Sequence, residues 1–231
     1  MNVKGCKKEM IDQLSWKVGG QQGEGIDSTG EIFAAALNRQ GYYLYGYRHF
    51  SSRIKGGHTN SKIRVSTRLI RSISDDLDIL VAFDQETIDV NHHELREGGV
   101  IIADAKFSPK LPENAIPGIR LYAVPLTEIA EQHGTSLMKN MVAVGASSAL
   151  LGLDPEIFRE VLEGLFSRKG KQVVENNMQA LLEGAAFIKE HASDVLGEFK
   201  LQPGDGKRRL FMIGNDAISL GAIAAGCRIM A

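Results

Sequence analysis

A glycine-rich segment near the amino end is the first part of the sequence that could bind a ligand. Residues 19–25 read Gly-Gly-Gln-Gln-Gly-Glu-Gly, between a predicted strand at 14–18 and a predicted helix at 25–40. Glycines at a strand-to-helix turn permit tight backbone bends, and the free N–H groups of the helix can face an anion. The segment is therefore interpreted either as a nucleotide- or diphosphate-binding turn or as a sharp connection without a ligand.

This segment lacks a complete dinucleotide fingerprint. Gly23 and Gly25 supply the first two glycines of the pattern G-x-G-x-x-G, but Ser28 occupies the third position. The next predicted strand ends without the carboxylate that would bind a ribose, and Glu24 adds negative charge to the turn. These departures argue against an independent NAD site, and no Walker A pattern follows either.

A second candidate stretch, residues 51–60, reads Ser-Ser-Arg-Ile-Lys-Gly-Gly-His-Thr-Asn and follows a predicted strand at 42–47. Two cations, two adjacent glycines and several hydroxyl groups could offer charge-assisted and backbone donors to an anionic ligand. The alternative, which spacing alone favours, is a glycine-rich turn with solvated cations. The candidate binding residues of the two stretches are Gly20, Gly23, Gly25, Ser51, Arg53, Lys55, Gly56, Gly57 and His58.

Spacing identifies no set of nucleophile, base and acid, and no metal site. His58 has no companion histidine or cysteine at ligand spacing. His92 and His93 are adjacent on a predicted helix and point in different directions, which predicts surface or capping roles. Asp84 and Asp104 each follow a predicted buried strand, where we expect a helix cap and a turn former.

The order of predicted elements indicates the fold class. Apolar runs at 78–83 and 100–103 are typical of buried parallel strands, and residues 60–67 alternate as in a strand with one solvated face. Helical spacing follows at 138–151 and 173–191. We therefore predict an α/β fold of three layers, with a mostly parallel sheet flanked by helices and a helical C-terminal portion.

Three segments are expected along the chain. Residues 12–200 form the predicted α/β domain, and residues 201–208 have the composition of a linker. Residues 209–231 contain a predicted helix rich in alanine, which would either dock onto this domain or open a further one.

Composition excludes several classes of protein. The net charge is −1, which gives no case for nucleic-acid binding. No stretch approaches the ~20 apolar residues of a membrane span. The two cysteines, Cys6 and Cys227, exclude a disulfide framework and favour the cytoplasm. Two cysteines also cannot hold a four-cysteine iron–sulfur cluster, so any cluster would be carried by a partner.

Taken together, the two stretches resemble the gamma domain of the 2-oxoacid:ferredoxin (acceptor) oxidoreductases. Residues 18–25 look like the G-x-x-G-x-G turn that opens that domain, and residues 51–60 look like its second signature, an I-K/R-G-G stretch. The resemblance covers residues 12–190. Residues 214–226 are similar to the start of a fused alpha domain, and the sequence ends before the Tyr-Pro-Ile-Thr-Pro motif expected there. The resemblance therefore implies a shortened or split form of a longer protein.

The resemblance implies coenzyme A-dependent oxidative decarboxylation of a 2-oxoacid by an assembly of this chain with alpha and beta subunits, with electrons passed to ferredoxin. Thiamine diphosphate, Mg²⁺, coenzyme A and 4Fe-4S clusters would belong to the assembled complex, and none is expected to bind this chain alone. Arg53 and Lys55 would offer charge to the phosphates of coenzyme A. Association of two copies of the chain stays open.

Two other classes of function are weighed against this interpretation. A stand-alone nucleotide-binding or regulatory module would bind a small molecule tightly without partner chains, and the missing ribose-binding acid counts against it. A structural interaction domain would use its loops for protein contacts alone, and the terminal helix is compatible with it.

Overall fold

A six-stranded sheet forms the centre of the computed structural model, which describes residues 9–52 and 57–229. The strands are β1 (Gln13–Gln21), β2 (Tyr43–His49), β3 (His58–Ser66), β4 (Leu77–Ala82), β5 (Leu95–Asp104) and β6 (Arg120–Val124). Their order across the sheet is β2-β3-β1-β4-β5-β6. Strands β1, β4, β5 and β6 are parallel, whereas β3 lies antiparallel to both β1 and β2. The predicted α/β class with a mostly parallel sheet is confirmed.

The helices cover the two faces of the sheet unequally. They are α1 (Ile26–Arg39), α2 (Gln85–Asn91), α3 (Leu126–His133), α4 (Lys139–Leu151), α5 (Arg159–Phe166), α6 (Lys171–His191) and α7 (Gly214–Ala224). The large core lies on the face of α1 and α4, where the ring of Trp16 stacks on that of Phe33 at 4.2 Å. A smaller core around Leu80 and Ile88 lies on the other face, beneath α2. The three layers are therefore of very different thickness.

Helices α4 and α6 cross without room for side chains at two positions. A Cβ on Gly145 would lie 1.8 Å from the carbonyl oxygen of Leu181, and one on Gly184 would lie 2.1 Å from that of Val142. Real Cβ atoms do not approach oxygens so closely. The two glycines therefore let the helix backbones touch, which buries α4 along its whole length.

Strand β3 departs from its expected solvated face. The alternation of Lys62 and Arg64 with apolar residues predicted that both cations face water. Arg64 is partly exposed and donates to the side-chain oxygen of Gln13 at 2.8 Å. Lys62 is only 2% exposed, because its ammonium donates to a carboxylate oxygen of Glu94 at 2.9 Å. The predicted solvated face is therefore wrong at Lys62.

The segment after the α/β layers packs against them before the last helix begins. Leu201 forms an isolated parallel bridge with Ile11 and is buried. The Arg209 guanidinium lies 4.0 Å from the centre of the Tyr43 ring, a cation–π contact at the edge strand. No residue of α7 is buried. Across the described ranges, no helix is both long enough and apolar enough to cross a membrane.

Candidate functional site

The sheet brings the two glycine-bearing stretches side by side. In the antiparallel pairing of β1 with β3, Gly20 lies opposite Thr59 and Gln21 lies opposite His58. The backbone N–H of Gln22 donates to the carbonyl of Gly57 at 3.0 Å, which ties one stretch to the other. The turn at 22–25 and residues 57–60 of the second stretch therefore lie at the carboxyl ends of the parallel strands, the edge where open α/β sheets bind ligands.

The turn between β1 and α1 is shorter than the glycine pattern predicted. Strand β1 continues to Gln21, so Gly19 and Gly20 are strand residues and only 22–25 turn. A Cβ on Gly20 would lie 2.6 Å from a carboxylate oxygen of Glu24 and 3.0 Å from the Cβ of Phe83. Gly20 is therefore required by close packing. Its placement in the turn was wrong, and its role toward a ligand stays a prediction.

Gly23 and Gly25 are required by backbone conformation. Their φ angles are +98° and +78°, in the left-handed region that side chains rarely adopt. Gly25 precedes helix α1, which has no side-chain hydrogen bond at its start. A cavity of about 450 Å³ opens beside this helix start, and it is lined by Gly23, Gly25, Ser28 and Asn140 among others. Free N–H groups of a first helical turn favour an acceptor or an anion there.

The negative charge of Glu24 is neutralised within the turn. One carboxylate oxygen accepts from the backbone N–H of Gln21 at 2.8 Å, and the other accepts from the Lys139 ammonium at 2.6 Å. Lys139 also lies 4.7 Å from the centre of the Phe83 ring and is only 9% exposed. The sequence-based objection that Glu24 disfavours an anionic ligand is therefore weakened, because a buried cation from α4 balances it.

The second stretch borders a separate cavity of about 460 Å³. Its lining consists of His49, Phe50, Ser51, Ser52, Gly57, His58, Glu86 and Val90. Ser51, Gly57 and His58 of the predicted binding set thus share one cavity. Arg53, Lys55 and Gly56, which belong to the same set, lie outside the described residues. Their part in binding stays a prediction.

Some of the buried polar atoms that have no hydrogen-bond partner lie near this edge of the sheet, and others lie elsewhere in the described residues. Within 9–52 and 57–229 those near the edge include Nδ1 of His58, Oδ1 of Asn60, Oδ2 of Asp84 and Oδ1 of Asn140. Asn60 pairs with Gly19 across β1 and β3, and Asp84 follows directly after β4 and Phe83. Buried polar atoms are nearly always paired, so these four atoms can each accept or donate one further hydrogen bond, to a ligand or to water.

His58 is the titratable group of the second cavity. Burial lowers the pKa of its imidazole, while the nearby carboxylates of Asp84 and Glu86 act in the opposite direction. Its Nε2 lies 3.4 Å from the amide nitrogen of Asn91. Asn91 is the last residue of α2 and is 2% exposed. The neutral imidazole is therefore the favoured form of His58 at this position.

A buried charge cluster lies directly behind His58. The Lys17 ammonium donates to Oδ1 of Asn91 at 3.0 Å and to a carboxylate oxygen of Glu94, whose other oxygen accepts from Lys62. Burial lowers the pKa of Lys17, and Glu94 opposes this effect. Burial also works against ionised Glu94, but hydrogen bonds from the two lysines outweigh it and lower the pKa of its carboxyl.

Other residues singled out in the sequence have structural roles. Asp84 accepts from the backbone N–H of Thr87 at 2.8 Å and so caps α2, as predicted. Asp104 accepts from Lys106 N at 3.2 Å, which confirms the predicted turn former. Of the two roles predicted for His92, the surface position is wrong because it is 7% exposed, and the capping role is confirmed because His92 is the C-cap of α2. In the described parts of the chain, no group of three or more histidine, cysteine, aspartate or glutamate residues could hold a metal ion.

Sequence reasoning missed Asn91, Asn140 and Lys139. Lys139 lies 115 residues from Glu24, and Asn91 lies 74 residues from Lys17, so no local pattern links them. Asn140 carried a signal, since it stands at the start of a predicted helix whose following residues are nearly all apolar. A buried polar residue in such a helix needs a partner.

The fold and its glycine-bearing edge define an α/β domain, and comparison with known proteins places it in a family. The family model described as pyruvate ferredoxin/flavodoxin oxidoreductase matches residues 15–187. The chain belongs to this family. The 2-oxoacid:ferredoxin oxidoreductase subunit alpha of Sulfolobus sp. is 31% identical over 94% of this chain and 39% of that protein. The chain thus spans about two fifths of the length of the alpha subunits it matches.

Two solved structures share the fold. 2-Oxoglutarate:ferredoxin oxidoreductase from Magnetococcus marinus, with 2-oxoglutarate, coenzyme A and succinyl-CoA bound, is 32% identical with a TM-score of 0.84. That match covers 94% of this chain and 38% of the other. The gamma subunit of a keto/oxoacid ferredoxin oxidoreductase from Geobacter sulfurreducens PCA is 26% identical with a TM-score of 0.61. That match covers 75% of this chain and 96% of the other.

Proposed function

We propose that this chain is the gamma component of a 2-oxoacid:ferredoxin oxidoreductase and acts with alpha and beta parts. The Geobacter gamma subunit supports this proposal, because the match covers nearly all of that protein and three quarters of this chain. Matches to alpha subunits are compatible with it if those longer proteins contain a gamma-like domain, since the chain aligns with only 39% of the Sulfolobus protein. On this proposal residues 12–200 are the gamma domain, 201–208 connect it, and 209–231 open the alpha part.

The ligand we propose for the edge site is coenzyme A. The Magnetococcus relative holds this molecule, and residues that span 94% of the present chain align with it. The observation that carries the proposal is the cluster of unpaired buried polar atoms where the two stretches meet. Three of these atoms, on Asn60, Asp84 and Asn140, are acceptor oxygens, so amide N–H or hydroxyl groups of the ligand would be their partners. Nδ1 of His58 would pair with a carbonyl or phosphate oxygen. Coenzyme A carries all of these groups.

Each part of the site has a distinct task in this proposal. The free N–H groups that follow Gly25 would face an anionic or carbonyl oxygen. Ser51 and His58 would donate from the second cavity, and Arg53 and Lys55 would bind phosphate. Gly23, Gly56 and Gly57 would let the backbone approach the ligand closely. Gly20 would act only indirectly, because the absence of its side chain leaves room for Phe83 and the Glu24 carboxylate.

The reaction proposed for the assembly divides its chemistry among its parts. The bond between the carboxyl and carbonyl carbons of the 2-oxoacid breaks and CO₂ leaves. The coenzyme A thiol loses its proton to solvent and its sulfur bonds to the remaining carbonyl carbon, and two electrons pass to ferredoxin. Thiamine diphosphate, when bound with Mg²⁺ to other parts of the complex, would supply the electron sink for decarboxylation. Iron–sulfur clusters of a partner would carry the electrons. This chain would hold coenzyme A.

Reconstitution tests this function. The chain would be purified alone and mixed with alpha and beta chains from the same source, and 2-oxoacid-dependent, coenzyme A-dependent reduction of a viologen dye would be measured. We expect activity only in the mixture. Chains that associate without activity would contradict the catalytic role and favour a structural interaction domain. Failure to associate, combined with tight ligand binding by the chain alone, would favour a stand-alone binding module.

A double substitution that removes two positive charges, called the charge-removal pair, tests in the active mixture whether coenzyme A is the ligand. Replacing Arg53 and Lys55 together by alanine should raise the KM for coenzyme A by about tenfold or more and leave the KM for the 2-oxoacid unchanged, because each lost phosphate contact is a charge-assisted hydrogen bond. The matched control replaces Arg68 and Arg71, two exposed cations beyond the opposite end of β3. An equal effect of both pairs on the coenzyme A KM would contradict a local phosphate contact.

The exposed final helix favours a structural interaction domain as the second candidate. Ile218 and Ile223 of α7 are 72% and 67% exposed, which is unusual for isoleucine. An interaction domain would retain partner binding after the charge-removal pair and show no dependence on coenzyme A. The same reconstitution therefore separates the two candidates.

A further inference from the structure

The amide of Asn91 can adopt only one orientation. Its oxygen faces the Lys17 ammonium at 3.0 Å, and an ammonium can only donate. Its nitrogen faces the carbonyl oxygen of Thr87 at 2.7 Å, and a carbonyl can only accept. Reversing the amide would place donor against donor on one side and acceptor against acceptor on the other. Two independent contacts therefore fix the amide nitrogen on the side of His58.

The fixed amide determines which ring nitrogen of His58 carries the proton. The amide nitrogen of Asn91 lies 3.4 Å from Nε2 of His58, and it has a second hydrogen to donate after its bond to Thr87. Nε2 must then accept, and in a neutral imidazole the proton lies on the other nitrogen, Nδ1. Nδ1 is buried without a hydrogen-bond partner among the residues that the structure describes.

Lys17 and Thr87 are held too firmly for this arrangement to relax. The Lys17 side chain is 1% exposed and is anchored by Glu94, which Lys62 also binds. Thr87 is fully buried, and its hydroxyl donates to Asp84 at 2.7 Å. The methyl group of Thr87 would lie 2.7 Å from a Cβ on Gly19, so strand and helix are in direct contact. The orientation of Asn91 is therefore built into the packing of α2 on β1.

We propose that Asn91 is a positioning residue that holds His58 as a neutral imidazole with its proton on Nδ1, a single donor for an acceptor oxygen of the ligand in the adjoining cavity. The identity of the ligand as coenzyme A rests on the proposed function, whereas the tautomer does not. The acceptor would be a carbonyl or phosphate oxygen, because both accept from a neutral N–H. Lys17 acts on the ligand only through this amide.

The tautomer can be measured directly in the full chain. Nitrogen NMR of protein labelled with ¹⁵N-histidine, at mildly alkaline pH, distinguishes Nδ1–H from Nε2–H rings. His58→Gln identifies the signal by its loss. We expect the Nδ1–H form in the wild type and inversion to Nε2–H in Asn91→Asp, because a carboxylate can only accept from the ring. His93→Gln, which changes an exposed histidine after α2, should leave the His58 signal unchanged.

Wild-type protein with the proton on Nε2, or with both tautomers equally populated, would overturn the proposal without any variant. An unchanged tautomer in a folded Asn91→Asp protein would overturn it as well. The ligand part is decided by titration of the reconstituted complex with coenzyme A, where Asn91→Asp should raise the Kd about tenfold through loss of one donor. Absence of binding by the wild type would contradict coenzyme A as the ligand and leave the tautomer result to stand by itself.

Discussion

Glu94 lies between two buried ammonium groups, and replacing it by glutamine tests how the charge cluster contributes to stability. The side chains of Lys17 and Lys62 are 1% and 3% exposed, and that of Glu94 is 22% exposed. In Glu94→Gln the amide oxygen can accept from only one of the two lysines and carries no charge. Among the hydrogen bonds not made by Glu94, Lys17 has the amide oxygen of Asn91 and Lys62 has the carbonyl of Asp75 at 3.0 Å. Two buried cations would then face each other without a counter-charge.

The expected loss follows from the number of contacts removed. Each hydrogen bond to a charged group contributes about 1.5–3 kcal/mol, and removing one member of a buried ion pair costs about 3–5 kcal/mol. Because Glu94 is partly solvated, we expect Glu94→Gln to lower the free energy of unfolding by about 3–4 kcal/mol. Lys17→Met should cost less, about 1–3 kcal/mol, because Glu94 keeps Lys62 and no cation is left uncompensated.

Urea unfolding of Glu94→Gln and Lys17→Met, monitored by circular dichroism, measures this difference in the free energy of unfolding. The comparison holds when the two variants unfold with equal m-values. The pH dependence provides a second test. The pKa of the Glu94 carboxyl is lowered in the folded protein, so its stabilising effect is fully present above its ordinary value of 4.5 and is lost as pH falls through the folded pKa. That loss should be absent in Glu94→Gln. A cost below about 1 kcal/mol for Glu94→Gln, or an equal or larger cost for Lys17→Met, would refute the reasoning.

Glycine substitutions provide two further matched predictions. Gly25→Ala should cost about 2–4 kcal/mol, because left-handed strain of about 1–2 kcal/mol adds to displacement of Asn140, whose amide nitrogen lies 2.2 Å from the new Cβ. Gly23→Ala, with open space around the new Cβ, should cost only the strain, and equal costs in thermal unfolding would contradict this account. Gly145→Ala should destabilise the crossing of α4 and α6 by about 1–3 kcal/mol, since its Cβ would meet the backbone of α6. Gly164→Ala, on the open face of α5, should stabilise by about 0.5–1 kcal/mol, and a loss there would argue that helix propensity does not govern this position.

Local patterns predicted most of the fold because the buried strands are continuous apolar runs. Residues 77–82 are all buried, as the apolar run at 78–83 indicated. The same patterns could not predict that β3 runs antiparallel beside β1, since alternation is common to both directions. Nor could they place Lys62 inside, because its partner Glu94 lies 32 residues away in a different element. Alternating polar and apolar residues in a strand indicate a solvated face only when the polar side chains have no buried partners elsewhere in the fold.

The location of the candidate site at the edge of the sheet could be predicted from the sequence, but the contacts between its side chains could not. The two stretches were paired by their resemblance to a family signature, and the register of β1 with β3 joins them physically. The roles of Asn91 and Asn140 depend on helices that follow in the chain and pack against the turn from opposite faces of the sheet. Such contacts are fixed by the packing of layers, which the spacing of residues within one stretch does not encode.

The glycines that first drew attention to the turn are explained by the backbone and its packing. Gly20 avoids a clash with Phe83, Gly25 avoids Asn140, and Gly23 adopts a φ angle of +98°. A glycine motif of this kind would therefore persist in a turn that binds nothing. The unpaired buried atoms are a different kind of observation, because a buried atom without a partner destabilises the free protein by about 1–3 kcal/mol. Only a ligand or bound water at this edge would offset that cost, so the polar atoms are the stronger argument for binding.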